Sequence, residues 1–120
     1  MLVCLPENCA EEHLEQALLA AQEAVAAPED TRFVLVQHGR GAAGLAKTLH
    51  LEAPHLRVTI VHVPAVPEAV GWVVAEVAAT GGYAEVHYDA DGVRRVPTLR
   101  AMPVRPAETA AALTPATSCW

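Results

Sequence analysis

Short apolar runs alternate with segments of helical periodicity over residues 1–80 of this chain. A short apolar run bounded by turn residues predicts a buried strand, and apolar residues three and four apart predict an amphipathic helix. Strand and helix in regular alternation are typical of an α/β domain built on a parallel sheet with right-handed crossovers. The predicted elements, in chain order, are strand Leu2–Leu5, a helix capped by Asn8 and carrying Leu14 to Val25, strand Phe33–His38, helix Gly41–Ala53, strand Arg57–Val63, a helix carrying Val70 to Val77, and strands Tyr83–Tyr88 and Val93–Leu99.

The last two strands are joined by Asp89-Ala90-Asp91-Gly92, which predicts a hairpin with Gly92 in the left-handed conformation. A hairpin adds an antiparallel edge to an otherwise parallel sheet. We therefore predict a truncated Rossmann-like domain, a mostly parallel sheet flanked by helices, over residues 1–104. Residues 105–120 are rich in Pro and Ala without periodicity, and they are interpreted as a linker or truncated tail.

Composition limits the classes of function. A chain of 120 residues is one domain by the usual prior, and its few aromatic side chains imply a core of Val, Leu and Ala. The net charge of −6 argues against a nucleic-acid partner, which requires clustered cations. No apolar run is long enough to span a membrane, no signal peptide is expected, and three cysteines without a C-x-x-C pair are typical of a reducing compartment. These features predict a cytoplasmic protein.

Gly39, Gly41 and Gly44 form a G-x-G-x-x-G pattern between a predicted strand and a predicted helix. In dinucleotide-binding domains such glycines allow a tight turn, approach of a pyrophosphate and close helix packing. That fingerprint also needs an acidic residue at the end of the following strand, and here the strand ends His62-Val63-Pro64. The alternatives are therefore a self-contained NAD(P)-binding domain or a turn that only shapes the fold.

Residues that could carry catalysis or a metal form no recognisable set. A short-chain reductase needs a Tyr-x-x-x-Lys pair, and neither Tyr83 nor Tyr88 has a lysine four residues later. His38 and His62 end neighbouring predicted strands, but no carboxylate or cysteine accompanies them at a ligand-like spacing. We predict no catalytic residue and no metal site within this chain.

Four segments together resemble a known half-domain. They are the strand Phe33 to Gly39, the helix Gly44 to Pro54, the strand Val58 to Pro64 and the hairpin Glu85 to Arg100, which contains Asp91-Gly92-Val93-Arg94-Arg95-Val96-Pro97. This series resembles the structural subdomain of type I polyketide synthase ketoreductases, particularly those of iterative, enediyne-type synthases.

The resemblance implies a division of labour between two Rossmann-like halves. The half represented here only supports the other half structurally, whereas that other half binds NADPH and carries the short-chain-reductase active site. It implies no cofactor on this chain, a catalytic ketoreductase half or neighbouring synthase domains as partners, and turn and packing roles for Gly39, Gly41 and Gly44. Self-association through a sheet edge is a further hypothesis. The polyketide product, the stereochemistry of reduction, the oligomeric state and whether the chain is a fragment are left open.

Overall fold

The computed structural model of the chain describes residues 1–104, so the predicted linker or tail at 105–120 lies outside the described residues. None of the described helices has the length and apolar character needed to cross a membrane. The elements are β1 (Leu2–Leu5), α1 (Glu11–Val25), β2 (Arg32–Gln37), α2 (Ala43–Glu52), β3 (Arg57–His62), α3 (Ala69–Ala79), β4 (Tyr83–Tyr88) and β5 (Arg94–Arg95).

The strands form one five-stranded sheet in the order β1-β2-β3-β4-β5. The first four strands are parallel, and β5 pairs antiparallel with β4. The fold is therefore the predicted α/β domain, a mostly parallel sheet flanked by helices and consistent with a truncated Rossmann-like fold. The strand order does not reverse within this sheet, unlike the order of the usual dinucleotide-binding sheets.

The helices cover opposite faces of the sheet. Alternate strand residues such as Phe33, Leu35 and Ile60 pack with α1 and α2 in one core. The intervening Val34 and Val61 pack with α3 in a second core on the other face. A parallel sheet buries both faces, so the valines of the second face need a helix of their own.

This placement corrects one expectation. All three crossovers step in the same direction across the sheet, yet α3 lies on the face opposite α1 and α2. A crossover on the opposite face has the opposite hand, so the three crossovers cannot all be right-handed as the sequence predicted.

The hairpin turn has the predicted shape, but its second strand is much shorter. Gly92 has φ +78°, and the Asp89 carboxylate accepts the backbone N–H groups of Asp91 and Val93. The predicted strand Val93–Leu99 is reduced to Arg94–Arg95. In the observed register Pro97 would lie opposite Glu85, and a proline has no N–H to continue the ladder.

Helix ends and helix faces also differ from the prediction. Ala10, not Asn8, caps α1, and His13 Nδ1 accepts the Ala10 N–H at 2.9 Å. The small residues of α1 lie buried against the sheet, whereas Leu14 and Leu18 are more than two-fifths exposed. In α3, Val70 and Val74, which belong to the apolar series that predicted the helix, are likewise exposed; the buried positions are Ala69 and Glu76. A helix that packs closely on a sheet has room only for small residues such as alanine at the contact. The spacing of large apolar residues therefore does not show which helix face is buried.

Candidate functional site

A group of polar side chains lies on the face of β4 that α1 and α2 leave open. Odd-numbered residues of β4 point to this face, because the even-numbered Tyr88 belongs to the core around α3. The core formed by α1 and α2 contains no β4 residue. We call this group the β4 polar cluster; its members are Lys47, His50, His62, Tyr83, Glu85 and His87.

Glu85 is the centre of the cluster and is only 9% exposed. Its Oε2 lies 3.0 Å from Lys47 Nζ and accepts the Tyr83 hydroxyl at 3.2 Å. Its Oε1 lies 3.2 Å from His62 Nε2 and 3.5 Å from His87 Nε2. Burial raises the pKa of the Glu85 carboxyl, but the hydrogen bonds from Lys47, His62 and Tyr83 outweigh it, so the net pKa lies below its usual value. Glu85 is therefore an ionised carboxylate whose charge is already matched.

The tautomer of His62 follows from its neighbours. Gln37 Oε1 accepts the Ala42 N–H at 3.3 Å, so the amide nitrogen of Gln37 donates to His62 Nδ1 at 2.8 Å. The ring proton of neutral His62 is then on Nε2, where it donates to Glu85. Burial, followed by the nearby His87, lowers the pKa of His62. His62 is thus held neutral as a hydrogen-bond donor.

A carboxylate accompanies His62 in space, although none lies at a ligand-like spacing in the sequence. Donor atoms of His62, Glu85 and His87 lie within 4.8 Å of one another. However, the two imidazoles are stacked, with centroids 3.8 Å apart and planes within 8°, so their in-plane lone pairs do not converge on one point. The Gln37 bond also keeps a proton on the His62 nitrogen that would have to bind the ion. This arrangement fits a hydrogen-bonded network better than a metal centre.

The cluster also brings Tyr83 close to the only lysine of the chain, although the two are far apart in sequence. Lys47 and Tyr83 contact the same oxygen of Glu85. A reductase needs the cation to lower the pKa of the tyrosine. Here burial and the Glu85 carboxylate raise the pKa of Tyr83 to about 12, which is the opposite of what proton donation requires.

The glycine pattern occupies its predicted place between β2 and α2, but its surroundings come from the chain itself. A Cβ on Gly39 would lie 2.5 Å from the carbonyl oxygen of Glu7, and one on Gly41 would lie 3.1 Å from Leu5 Cδ1 and 3.2 Å from Cys9 Sγ. A Cβ on Gly44 would meet nothing within 4 Å. The side of Gly41 that lacks a Cβ thus faces protein side chains rather than open space for a pyrophosphate.

The two histidines at the ends of neighbouring strands are not brought together. His38 Nδ1 lies 3.0 Å from the Val63 carbonyl oxygen and lines a groove beside α3, on the opposite face from the β4 polar cluster. His62 bonds Gln37 and Glu85 instead. They form no common site.

A second polar group attaches the hairpin to α3, and no sequence pattern predicts it because it depends on tertiary contact. The Tyr88 hydroxyl and Arg94 Nε each donate to Glu76 Oε1 at 2.6 Å, and Arg94 also bonds Oε2 at 3.2 Å. The Arg94 bond, more than burial, sets the direction of the Glu76 pKa, which is lowered. Trp72 stacks on Tyr88 with centroids 4.9 Å apart. This group holds the hairpin against α3, and the charges of Glu76 and Arg94 neutralise each other.

No protein-family model, curated protein or solved structure matches this chain. Function is therefore inferred from the residues of the chain itself.

Proposed function

We propose that this chain is the non-catalytic structural subdomain of a polyketide synthase ketoreductase, supporting an NADPH-dependent β-ketoacyl reductase half that is a separate part of the enzyme. The observation that carries the proposal is the hairpin sequence Glu85 to Arg100, which resembles that family, at the edge of an α/β domain of the expected kind. On this proposal the chain is not an enzyme by itself.

The state of the polar groups supports a non-catalytic role. Tyr83 has a raised pKa and is bonded to a carboxylate, so it is a poor proton donor. Glu85 and Glu76 are each matched by a cation within hydrogen-bond distance. A general acid or base must reach the reacting atom of a substrate, whereas the polar atoms of these groups already bond to one another.

An exposed apolar arm supplies a surface for docking. After β5 the chain runs through residues 96–104 without regular structure, and Leu99 and Met102 are 105% and 81% exposed. Apolar side chains displayed in this way are typical of an interaction surface. We assign the arm to contact with the catalytic half, whose cofactor site it would hold in shape.

The test is co-expression with a separately encoded catalytic half of an iterative-type ketoreductase, followed by affinity purification and an NADPH-oxidation assay with a β-ketoacyl thioester. We expect the two chains to co-purify and the reductase activity to rise. Leu99→Asp is expected to abolish both, because it places a charge on the docking arm. The matched control is Leu51→Asp, another exposed leucine (78%) on α2, which is expected to change neither. A catalytic half that neither associates nor gains activity would refute the proposal.

The alternative is a self-contained NAD(P)-binding domain that uses the loop Gly39–Gly44. Its support is the position of the loop between strand and helix, and the contacts at Gly39 and Gly41 weigh against it. Calorimetric titration of NADPH and NADH into the isolated chain decides between them. Saturable micromolar binding would favour the alternative, and absence of heat at millimolar ligand would remove it.

A further inference from the structure

A buried amide connects the β4 polar cluster to the start of α2. Gln37 is the last residue of β2 and is only 2% exposed. Its Oε1 accepts the Ala42 N–H at 3.3 Å, and its amide nitrogen donates to His62 Nδ1 at 2.8 Å. Ala42 directly precedes α2, and the N–H groups at the start of a helix have no partner within the helix. The Gln37 side chain supplies that partner.

The same bond spans the loop that carries the G-x-G-x-x-G pattern. Gln37 lies before the loop and Ala42 near its end, and no backbone hydrogen bond among the described residues joins these two positions. His38 bonds the carbonyl oxygens of Leu5 and Val63, which holds only the beginning of the loop. The bond from Gln37 is therefore the hydrogen-bonded tie between the end of β2 and the start of α2.

This arrangement is compatible with one protonation state of His62. The Ala42 N–H can only donate, so the Gln37 oxygen faces it and the Gln37 NH₂ group faces His62 Nδ1, which must be an acceptor. A second proton on the ring would sit on Nδ1 and meet the NH₂ group donor to donor. The bond from His62 Nε2 to Glu85 keeps the ring in place, so the Gln37 amide would have to turn over. Its NH₂ group would then face the Ala42 N–H, and that bond would be lost.

We propose that Gln37 is a pH-sensitive switch at the start of α2, which holds the Ala42 N–H while His62 is neutral and releases it when His62 takes a proton from solvent. The His62 side chain is 17% exposed, so a solvent proton can reach it. The charged ring keeps both of its bonds, one to Glu85 and one to the Gln37 oxygen, and bonds from a charged donor are the stronger kind. The loss falls on the buried Ala42 N–H, so the change is expressed in the loop and the first turn of α2.

The charged groups around His62 set the pH at which the switch turns. Glu85 and His87 face it from β4 and Lys47 faces it from α2, whereas β2 supplies only the neutral Gln37. Glu85 favours the added proton, and Lys47 and a protonated His87 oppose it. Burial and the nearby His87 lower the pKa of His62, so we expect the switch to turn below pH 6.5.

The experiment is an NMR titration of the isolated, ¹⁵N-labelled chain from about pH 8 to about pH 5, a range that brackets histidine titration. It follows the His62 ring, the Gln37 side-chain amide and the Ala42 backbone amide. We expect all three to change with one midpoint, and the coupling across the N–H···N bond between Gln37 and His62 to disappear in acid. Below the midpoint the protection of the Ala42 amide against hydrogen exchange should fall about fivefold, the equivalent of one lost hydrogen bond.

Three variants separate this switch from a general effect of acid. Gln37→Leu removes the amide, so His62 should still titrate while the Ala42 amide no longer follows it. His38→Asn is the matched control, because it removes the other histidine beside the loop and should leave the Ala42 step unchanged. His87→Gln removes a like charge from the face of His62, so the midpoint should move to higher pH, a result that does not require Gln37→Leu to fold.

Four results would overturn the proposal. They are an Ala42 amide that stays constant while His62 titrates, a midpoint that follows His38 instead, an Ala42 step that survives in Gln37→Leu, or a midpoint that His87→Gln leaves unmoved. The test uses the isolated chain, so failure to bind a catalytic half does not affect its outcome.

Discussion

Replacing each glycine of the G-x-G-x-x-G pattern by alanine should have graded effects on stability. At Gly39 the new Cβ would lie 2.5 Å from the carbonyl oxygen of Glu7, well inside the 3.4 Å at which ordinary contact begins. The opposing atom is backbone, so relief requires the segment between β1 and α1 to move. Overpacking of this kind costs about 1–3 kcal/mol, and the reduced freedom of the unfolded alanine chain returns about 0.4–1 kcal/mol.

The expected net loss for Gly39→Ala is about 1–2 kcal/mol of unfolding free energy. Gly41→Ala meets only the ends of Leu5 and Cys9 at 3.1–3.2 Å, and these can move, so we expect a loss of at most about 1 kcal/mol. Gly44→Ala meets nothing within 4 Å and lies in the first turn of α2, so it should gain about 0.5–1 kcal/mol from helix propensity.

Urea unfolding followed by far-UV circular dichroism measures all three variants, repeated with saturating NADPH. If the glycines serve only packing, the free energy of unfolding should decrease in the order Gly44→Ala, wild type, Gly41→Ala, Gly39→Ala, and NADPH should not change it. A cofactor loop instead predicts that NADPH stabilises wild type, by about 2.7 kcal/mol at 100 times its dissociation constant, and that the substitutions remove this gain. A neutral Gly39→Ala, or a Gly44→Ala as damaging as the others, would refute the packing argument.

Three further outcomes follow from the polar groups. Glu76→Ala removes the acceptor that Tyr88 and Arg94 share, and it should lower the free energy of unfolding in urea by about 2 kcal/mol. A loss below about 0.5 kcal/mol would show that the hairpin does not depend on Glu76. Because the pKa of His62 is lowered from 6.5, the unfolded chain binds more protons just below that value, so stability should fall as the pH drops through 6.5; His62→Gln should flatten this step, and an unchanged slope would contradict the assignment. His50→Phe should stabilise by about 1 kcal/mol in the same assay, because it keeps the stack on Tyr83 and removes a buried Nδ1 that has no hydrogen-bond partner among the described residues; destabilisation would contradict this.

Local signals in the sequence predict much of the fold. The order of strands and helices follows from the spacing of apolar residues, and the turn at Gly92 follows from the glycine in Asp-Ala-Asp-Gly. The face on which α3 packs was predicted wrongly, because uniform right-handed crossovers place all three helices on one face and helical periodicity does not say which side of the sheet a helix covers. The early end of β5 depends on Pro97, whose effect is visible only when the register with β4 is known.

The β4 polar cluster was predicted least well. Its strand residues Tyr83, Glu85 and His87 alternate with period two, which is a signal of a shared face. Their other contacts come from His62 on β3 and Lys47 on α2, and these contacts can be seen only in the folded chain. Sequence spacing alone therefore missed the carboxylate beside His62.

Two cores on opposite faces of one sheet give the molecule two layers that can lose order separately. The first layer contains α1 and α2, and the second contains α3 with the hairpin fixed to it through Glu76. They share only the strands between them, and the centre of β3 is fully buried, with Val58 and Val61 at 0% exposure. Local opening follows such divisions, so amides of α3 and the hairpin should exchange with solvent as one cooperative unit, and those of α1 and α2 as another. The layer that carries α3 and the hairpin can therefore open and close while the opposite layer keeps the sheet intact.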